Sequence, residues 1–314
     1  MRILFAASPS IAVPALEAIC HIQGIELAGV LTNPDTPKGR SAAPAPTEIG
    51  EAAQRLNITP ILKPLKLDSA ARERIAGLKC DLLVSFAYGH FFGPKFLALF
   101  PMGGINIHPS LLPKYRGPSP IQAAILNRDS VTGVSIQTLA GEMDCGDILA
   151  VEQIQLTGRE TSTSLGEIAA QKAAVMLPAA LEKIADGTAK MSAQNHSEAA
   201  YCKLFTKDDG IIDWSQNASE IDAKIRAFNP WPLCRTVHNG KELFILESDI
   251  YTGAETGGGR FPSGKVLGID KNSGILIQTG EGVLAVTKLQ YQTKKALFWR
   301  DFLNGARDFL SSQL

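Results

Sequence analysis

Apolar, β-branched runs alternate with helical patterns over the first 186 residues, and this alternation limits the possible folds more than any other feature. Arg2–Ala7 reads as a strand, Pro14–Ile19 as a helix start with proline near its first turn, and Ile25–Leu31 as a second strand. Glu48–Leu56 reads as a helix and Thr59–Leu62 as a short strand. Asp68 is placed to cap a helix running to Leu78. Asp81–Ser85 and Ile105–His108 read as buried strands. Val134–Leu139 and Ile148–Gln155 follow as later, antiparallel ones. Ser164–Asp186 is a long helix ended by Gly187. Such alternation predicts an α/β domain with a Rossmann-like, doubly wound, mostly parallel sheet. The first strand-to-helix turn, Ala7-Ser8-Pro9-Ser10, has no G-x-G-x-x-G, which argues against a nicotinamide dinucleotide site. The lysine motif of a P-loop is missing as well.

The chemistry concentrates in Gly104-Ile-Asn-Ile-His-Pro-Ser-Leu-Leu-Pro113 and in the later Met143-Asp144-Cys145-Gly146-Asp147. On a strand, Asn106 and His108 point to one face, so an amide and an imidazole look into the same space. Pro109 stops the strand from continuing as a ladder member. Ser110 to Pro113 then form a rigid turn beyond the strand end, where open α/β sheets bind ligands. Asp144 lies in a glycine-flanked turn from which its carboxylate can meet the histidine. A lone histidine at a strand end is ordinarily a satisfied polar residue, and a carboxylate beside glycines ordinarily caps a turn. Asn, His and Asp together can stabilise an oxyanion and move a proton. Without a Ser or Cys nucleophile, they suggest direct transfer rather than a covalent enzyme intermediate. Cys145 reads as a small residue in a tight turn.

Composition bounds the remaining classes. A chain of 314 residues is long enough for two domains, and 45% hydrophobic with 20% charged content is ordinary for a globular protein. The first 200 residues carry 17 Lys and Arg against 18 Asp and Glu, and the rest 14 against 13. Neither part is basic, so any nucleic acid contact must use a local positive field. Five scattered cysteines without a C-x-x-C pair read as reduced thiols in a cytoplasmic protein, not as a disulfide frame or metal site. Met1-Arg2-Ile3-Leu4-Phe5 begins a strand at once, and its apolar run is too short for a signal peptide or membrane span.

The last third changes character. Residues 188–206 are mixed and polar and read as a linker. Beyond them, Leu243–Leu246, Lys265–Ile269, Ile275–Thr279 and Val283–Leu289 alternate with glycine-rich turns, the spacing of a small β-barrel. Gly257-Gly258-Gly259 reads as a hairpin tip, since no helix start follows it. The expected division is 1–187, the linker 188–206, and 207–314.

The stretch from Ile105 to Asp147 resembles the folate-dependent formyltransferases. The likeness rests on Asn-Ile-His-Pro-Ser-Leu-Leu-Pro, Tyr-Arg-Gly-Pro-Ser-Pro-Ile-Gln122, Thr-Gly-Val-Ser-Ile136 and Met-Asp-Cys-Gly-Asp-Ile-Leu149. Ile212-Asp213-Trp214-Ser215 and Arg226-Ala-Phe-Asn-Pro-Trp-Pro232 resemble the second domain of the branch that formylates the methionine carried by initiator tRNA. The resemblance implies an OB-like C-terminal domain that binds tRNA. It also implies 10-formyltetrahydrofolate as formyl donor, no metal, and initiator methionyl-tRNA as acceptor, with a monomer as the expected state. It assigns Asn106, His108 and Asp144 to catalysis. It assigns Ser110, Leu111, Leu112, Pro113, Tyr88 and Gly89 to the folate pocket. Lys38 and Arg40, in the proline-rich loop Asn33–Thr47, fall to the tRNA acceptor arm, and Lys294 and Lys295 to tRNA phosphates. Arg116 reads as a structural partner, and Trp231 as a packing residue. The rivals are an N-formyltransferase acting on an amino-sugar nucleotide, a formylfolate hydrolase, and a catalytically silent tRNA-binding module.

Overall fold

The computed structural model describes residues 1–37, 43–253 and 261–314. Lys38, Arg40 and the glycine triplet 257–259 therefore lie outside the described residues. The chain divides into two compact units. One comprises Met1–Pro120, Val131–Gln155 and Leu165–Lys203; the other comprises Ile121–Ser130, Leu156–Ser164 and Leu204–Leu314.

The first unit is built on a seven-stranded sheet. Its strands are β1 (Arg2–Ala7), β2 (Glu26–Leu31), β5 (Ile61–Leu62), β6 (Leu82–Phe86), β7 (Gly104–His108), β8 (Val131–Thr138) and β9 (Ile148–Gln155). A separate two-stranded ladder joins β3 (Thr36–Pro37) to β4 (Pro44–Ala45). The main sheet runs β5-β2-β1-β6-β7-β8-β9, parallel from β5 to β7 and antiparallel from β7 to β9. All five residues of β6, and Ile3 to Ala7 of β1, are buried, as expected for parallel strands covered on both faces. The chain leaves β1 outward through β2 to β5, then returns to the other side of β1 at β6. The switch point is thus between β1 and β6, where α/β sheets open a crevice at the strand carboxyl ends.

Local chemistry sets the helices between the strands. These are α1 (Val13–Ile19), α2 (Glu48–Arg55), α3 (Ser69–Ala76) and α4 (Pro94–Leu97). The Thr47 hydroxyl accepts from Gly50 N at 3.0 Å to cap α2, and Asp68 accepts from Ala71 N at 3.0 Å to cap α3. Two further helices, α5 (Pro120–Leu126) and α6 (Ser162–Ala185), follow β7 and β9. Gly187 follows α6 with φ +69, a left-handed stop. Tyr88, Phe92, Phe96 and Phe100, four residues apart, stack in series with centroids 5.1–5.7 Å apart inside the core. The polar stretch expected as a linker carries groups of the first unit: Ser192 pairs with Ile148, and Gln194 is buried.

The second unit holds an antiparallel sheet in the order β10-β11-β14-β13-β12. Its strands are β10 (Cys234–His238), β11 (Lys241–Ile250), β12 (Val266–Asp270), β13 (Gly274–Gln278) and β14 (Val283–Tyr291), and β15 (Leu297–Phe298) pairs with β14. Asn239 and Gly240, both at positive φ, make the two-residue hairpin between β10 and β11. Leu243, Ile245, Ile275, Ile277, Leu284, Val286 and Leu289 form its core. Besides α5, whose residues from Ile121 on fall in this unit, it holds the helices α7 (Ala218–Ala227) and α8 (Trp299–Gly305). Asn217 and Glu220 close a capping box on α7. Among the described residues no helix is long and apolar enough to cross a membrane.

His238 is buried in this unit between the Tyr291 hydroxyl (2.6 Å from Nδ1) and Ser312 Oγ (2.8 Å from Nε2). Burial pulls its pKa below 6.5, with Asp308 opposing and Lys241 assisting. The unfolded chain then binds more protons than the folded one between the folded pKa and about 6.5, so stability rises with pH through that window. Thermal unfolding is expected to show the second unit weakening as pH falls from 7.5 to 5.5. The dependence is expected to shrink in His238→Gln.

Candidate active site

Asn106 and His108 sit at the carboxyl end of β7, directly opposite Gln137 and Ser135 of β8. Cross-strand partners share a face, so four polar side chains are gathered on one side of the sheet. His108, Ser135 and Gln137 are all buried, and Asn106 is half-buried. Asp144 comes to them from the turn between β8 and β9. Its backbone is left-handed, φ +55, a region aspartate tolerates better than most residues. Gly146 lets this turn close, because a Cβ there would lie 1.8 Å from Thr138 O.

The Asp144 carboxylate is the point of convergence. Oδ1 accepts from Gln137 Nε2 at 2.9 Å and from Asn106 Nδ2 at 3.4 Å, and lies 3.6 Å from His108 Nδ1. Oδ2 accepts from Gly117 N at 2.8 Å. On the far side of the imidazole, His108 Nε2 is 2.8 Å from Tyr115 O. A carbonyl only accepts, so Nε2 carries a hydrogen and Nδ1 is the atom turned to the carboxylate. Tyr115 aims that carbonyl from a left-handed backbone, φ +61, which is uncommon for a bulky residue. Both ring nitrogens thus face protein groups. To donate to a reacting oxygen, Nδ1 must leave Asp144. Asn106, with two amide hydrogens and one long contact to Asp144, has a donor to spare.

The structure brings the expected trio together. The turn after β7 behaves differently from residue to residue. Ser135 Oγ donates to Ser110 O at 2.7 Å and accepts from Leu112 N at 3.2 Å, and the buried Ser110 donates to Lys114 O at 2.5 Å. Leu112 is buried. Leu111 is half-buried against Gly133 of β8, where an added Cβ would stand 2.4 Å from Leu111 Cδ2. Pro113 is half-buried. The ring of Tyr88 is core rather than pocket wall: it is 2% exposed and stacked on Phe92, and burial pushes its hydroxyl up to about 12. Tyr88 O accepts from Asn33 Nδ2 at 3.2 Å, and Gly89 is exposed with φ +84. This loop follows β6, at the switch point. Lys294 and Lys295 are exposed in the turn after β14, in the second unit. A cavity of about 420 Å³ opens between Leu67, Arg72, Phe91 and Lys95, and none of the trio lines it. Among the described residues no group of three or more His, Cys, Asp or Glu could hold a metal ion.

Sequence reasoning did not single out Gln137, Gln194 or Tyr115. Gln137 had a readable signal: Ser135 and Gln137 are an i, i+2 polar pair inside an apolar strand, the same pattern that marked Asn106 and His108.

Residues 1–181 match the formyl transferase family, and residues 204–307 match its C-terminal domain. The chain belongs to the formyltransferase family. It is 48% identical to the methionyl-tRNA formyltransferase of Treponema denticola over 99% of this chain and 98% of that protein. It is 39% identical to that of Borrelia hermsii, again over 99% and 98%. Among solved structures, WlaRD, a sugar 3N-formyl transferase, superposes with a TM-score of 0.66 at 18% identity, over 94% of this chain and 99% of that one. HypX from Aquifex aeolicus in complex with tetrahydrofolic acid gives 0.64 at 17%, over 96% of this chain and 47% of that one. At such identities these two report the fold.

Gly146→Ala is expected to lower stability by roughly 1–3 kcal/mol, the usual range for overpacking, as read by urea unfolding. Because the turn carries Asp144, activity is expected to fall with it.

Proposed function

We infer that the chain is a methionyl-tRNA formyltransferase, moving the formyl group of 10-formyltetrahydrofolate to the α-amine of methionine on initiator tRNA. The observation that carries this reading is the match to methionyl-tRNA formyltransferases across both units, at 48% and 39% identity over 99% of the chain. The polar cluster on β7 and β8 supports the chemistry. The amine nitrogen bonds to the formyl carbon, and the carbonyl electron pair moves to oxygen. The carbon–N10 bond then breaks, N10 gains a proton, and the ammonium formed loses one. Asn106 offers an amide N–H to the oxygen as charge develops. His108 Nδ1, turned from Asp144 to the substrate, is the ring atom that passes the proton from amine to N10, with the Asp144 carboxylate beside it. Ser110, Leu111, Leu112, Pro113, and the backbone of Tyr88 and Gly89 are the proposed folate contacts.

We read residues 1–187 as the catalytic part and 207–314 as an OB-like domain holding tRNA, with 188–206 between them. Lys38, Arg40, Lys294 and Lys295 are the proposed phosphate contacts, acting as a local positive field in a chain of zero formal net charge. A cytoplasmic monomer fits this reading. An N-formyltransferase for an amino-sugar nucleotide would use the same trio. The relatives over the full chain favour tRNA, whereas the sugar enzyme WlaRD is 18% identical.

The test is transfer of labelled formyl from 10-formyltetrahydrofolate to methionyl initiator tRNA, run beside an amino-sugar nucleotide. Formylated methionyl-tRNA is expected, and transfer to the sugar alone would overturn the acceptor. Asn106→Ala is expected to lower kcat on the order of 10²–10³-fold while filter binding of tRNA stays unchanged. An undiminished kcat would remove Asn106 from the oxyanion role.

A further inference from the structure

Among the described residues Arg116 is the largest fully buried side chain, 1% exposed, and the mechanism above does not use it. Its Nε and Nη2 donate to Gln194 Oε1 at 3.1 and 2.7 Å. Nη1 donates to the Tyr201 hydroxyl at 3.2 Å and Nη2 to His196 Nδ1 at 3.1 Å. Gln194, also buried, turns its Nε2 to three oxygens: Gln137 Oε1 (3.1 Å), Asp144 O (2.9 Å) and Gly146 O (2.7 Å). Gln137 completes the series by donating from Nε2 to Asp144 Oδ1 at 2.9 Å.

The direction of every bond in this series is fixed. An amide can be turned end for end, and only its partners say which way it lies. A guanidinium has five N–H groups and nothing that accepts, so Gln194 must present its oxygen to Arg116. Its nitrogen then faces the two backbone carbonyls, which only accept, and Gln137 Oε1. That leaves the Gln137 nitrogen toward Asp144. Reversing either amide would set oxygen against oxygen in a buried place, which is costly where the dielectric is low. The donor-only cation at one end thus secures an N–H on the carboxylate oxygen at the other.

Asp144 Oδ1 is the atom that faces His108 Nδ1 and Asn106 Nδ2. A donor from Gln137 holds this oxygen in place on a carboxylate whose backbone is itself left-handed, and Gly117 N holds the other oxygen. Gln137 is also the cross-strand partner of Asn106, so one residue sets the spacing between the amide and the carboxylate. We propose that Gln137 and Gln194 are positioning residues for formyl transfer, with Arg116 as the fixed donor that orients both amides so that Asp144 Oδ1 meets His108. This rests on the function proposed above.

The test compares wild type, Gln137→Met, Gln194→Met and the double variant in the methionyl-tRNA assay, with unfolding curves for each. Loss of a hydrogen bond to a charged group predicts a kcat about 10–100-fold lower in Gln137→Met. KM for folate and tRNA should stay within about twofold, since neither amide is placed against substrate. Gln194→Met should also lower kcat, because Gln137 loses its orientation and the turn of Asp144 loses two bonds to its backbone carbonyls. The double variant should lose less than the product of the two single losses, because part of the Gln194 effect runs through Gln137. A Gln137→Met enzyme with wild-type kcat, a loss seen in KM alone, or losses that multiply in the double variant would overturn the proposal. Should Gln137→Met fail to fold, Gln194→Met decides by the same split, since every group on the Asp144 carboxylate is still present. A wild type that transfers nothing to tRNA would count against the proposed function instead. The positioning role is then read from the ¹⁵N signal of His108 Nδ1, which should move in Gln137→Met and whose constancy would overturn it.

Discussion

A single carboxylate organises this protein's polar centre. Asp144 has an imidazole, two side-chain amides and a backbone N–H directed at its two oxygens. A buried or half-buried charge must be satisfied in this way, because an unpaired one is expensive away from water. The requirement reaches outward. Gly146 must lack a side chain so that the turn can close, Gln137 must face Asn106, and Tyr115 must hold the imidazole from its far side.

The sheet supplies the frame for this convergence. β7 is the strand at which the sheet changes from parallel to antiparallel pairing. Its parallel side keeps it deep in the first unit, and its antiparallel side sets Asn106 and His108 opposite Gln137 and Ser135. The loop that joins β8 to β9 leaves beside the start of β7 and brings Asp144 back over the strands to Asn106 and His108. Ser135 ties the turn after β7 by bonding both Ser110 O and Leu112 N, so the strand that faces the trio also shapes the loop beyond it.

Much of this was legible from local pattern. The βα alternation predicts the parallel sheet, Asp68 predicts its cap, and the i, i+2 spacing of Asn106 and His108 predicts a shared face. The glycine-flanked turn allows Asp144 to meet them, and all of these are properties of short segments. What escaped depends on pairing between distant segments. Nothing local says that Gln194 reaches back 50 residues to the Asp144 carbonyl, and a polar stretch such as 188–206 reads as a linker until Gln194 is seen to be buried. Tyr88 reads as part of the folate pocket because it follows a strand, with nothing local to say where its ring goes. In three dimensions it begins an aromatic series at four-residue spacing and belongs to the core. The acceptor is likewise not written in these three side chains; full-length likeness to the methionyl-tRNA enzymes carries that part.

The proposed chemistry needs the charge on Asp144, not merely its shape. Asp144→Asn keeps the size and tolerates the left-handed backbone while removing the charge. The single-turnover rate of formyl transfer to methionyl initiator tRNA in this variant is the most direct measurement. A fall of about 10³-fold or more, with folate and tRNA still bound, is expected. A rate within a few-fold of wild type would contradict it.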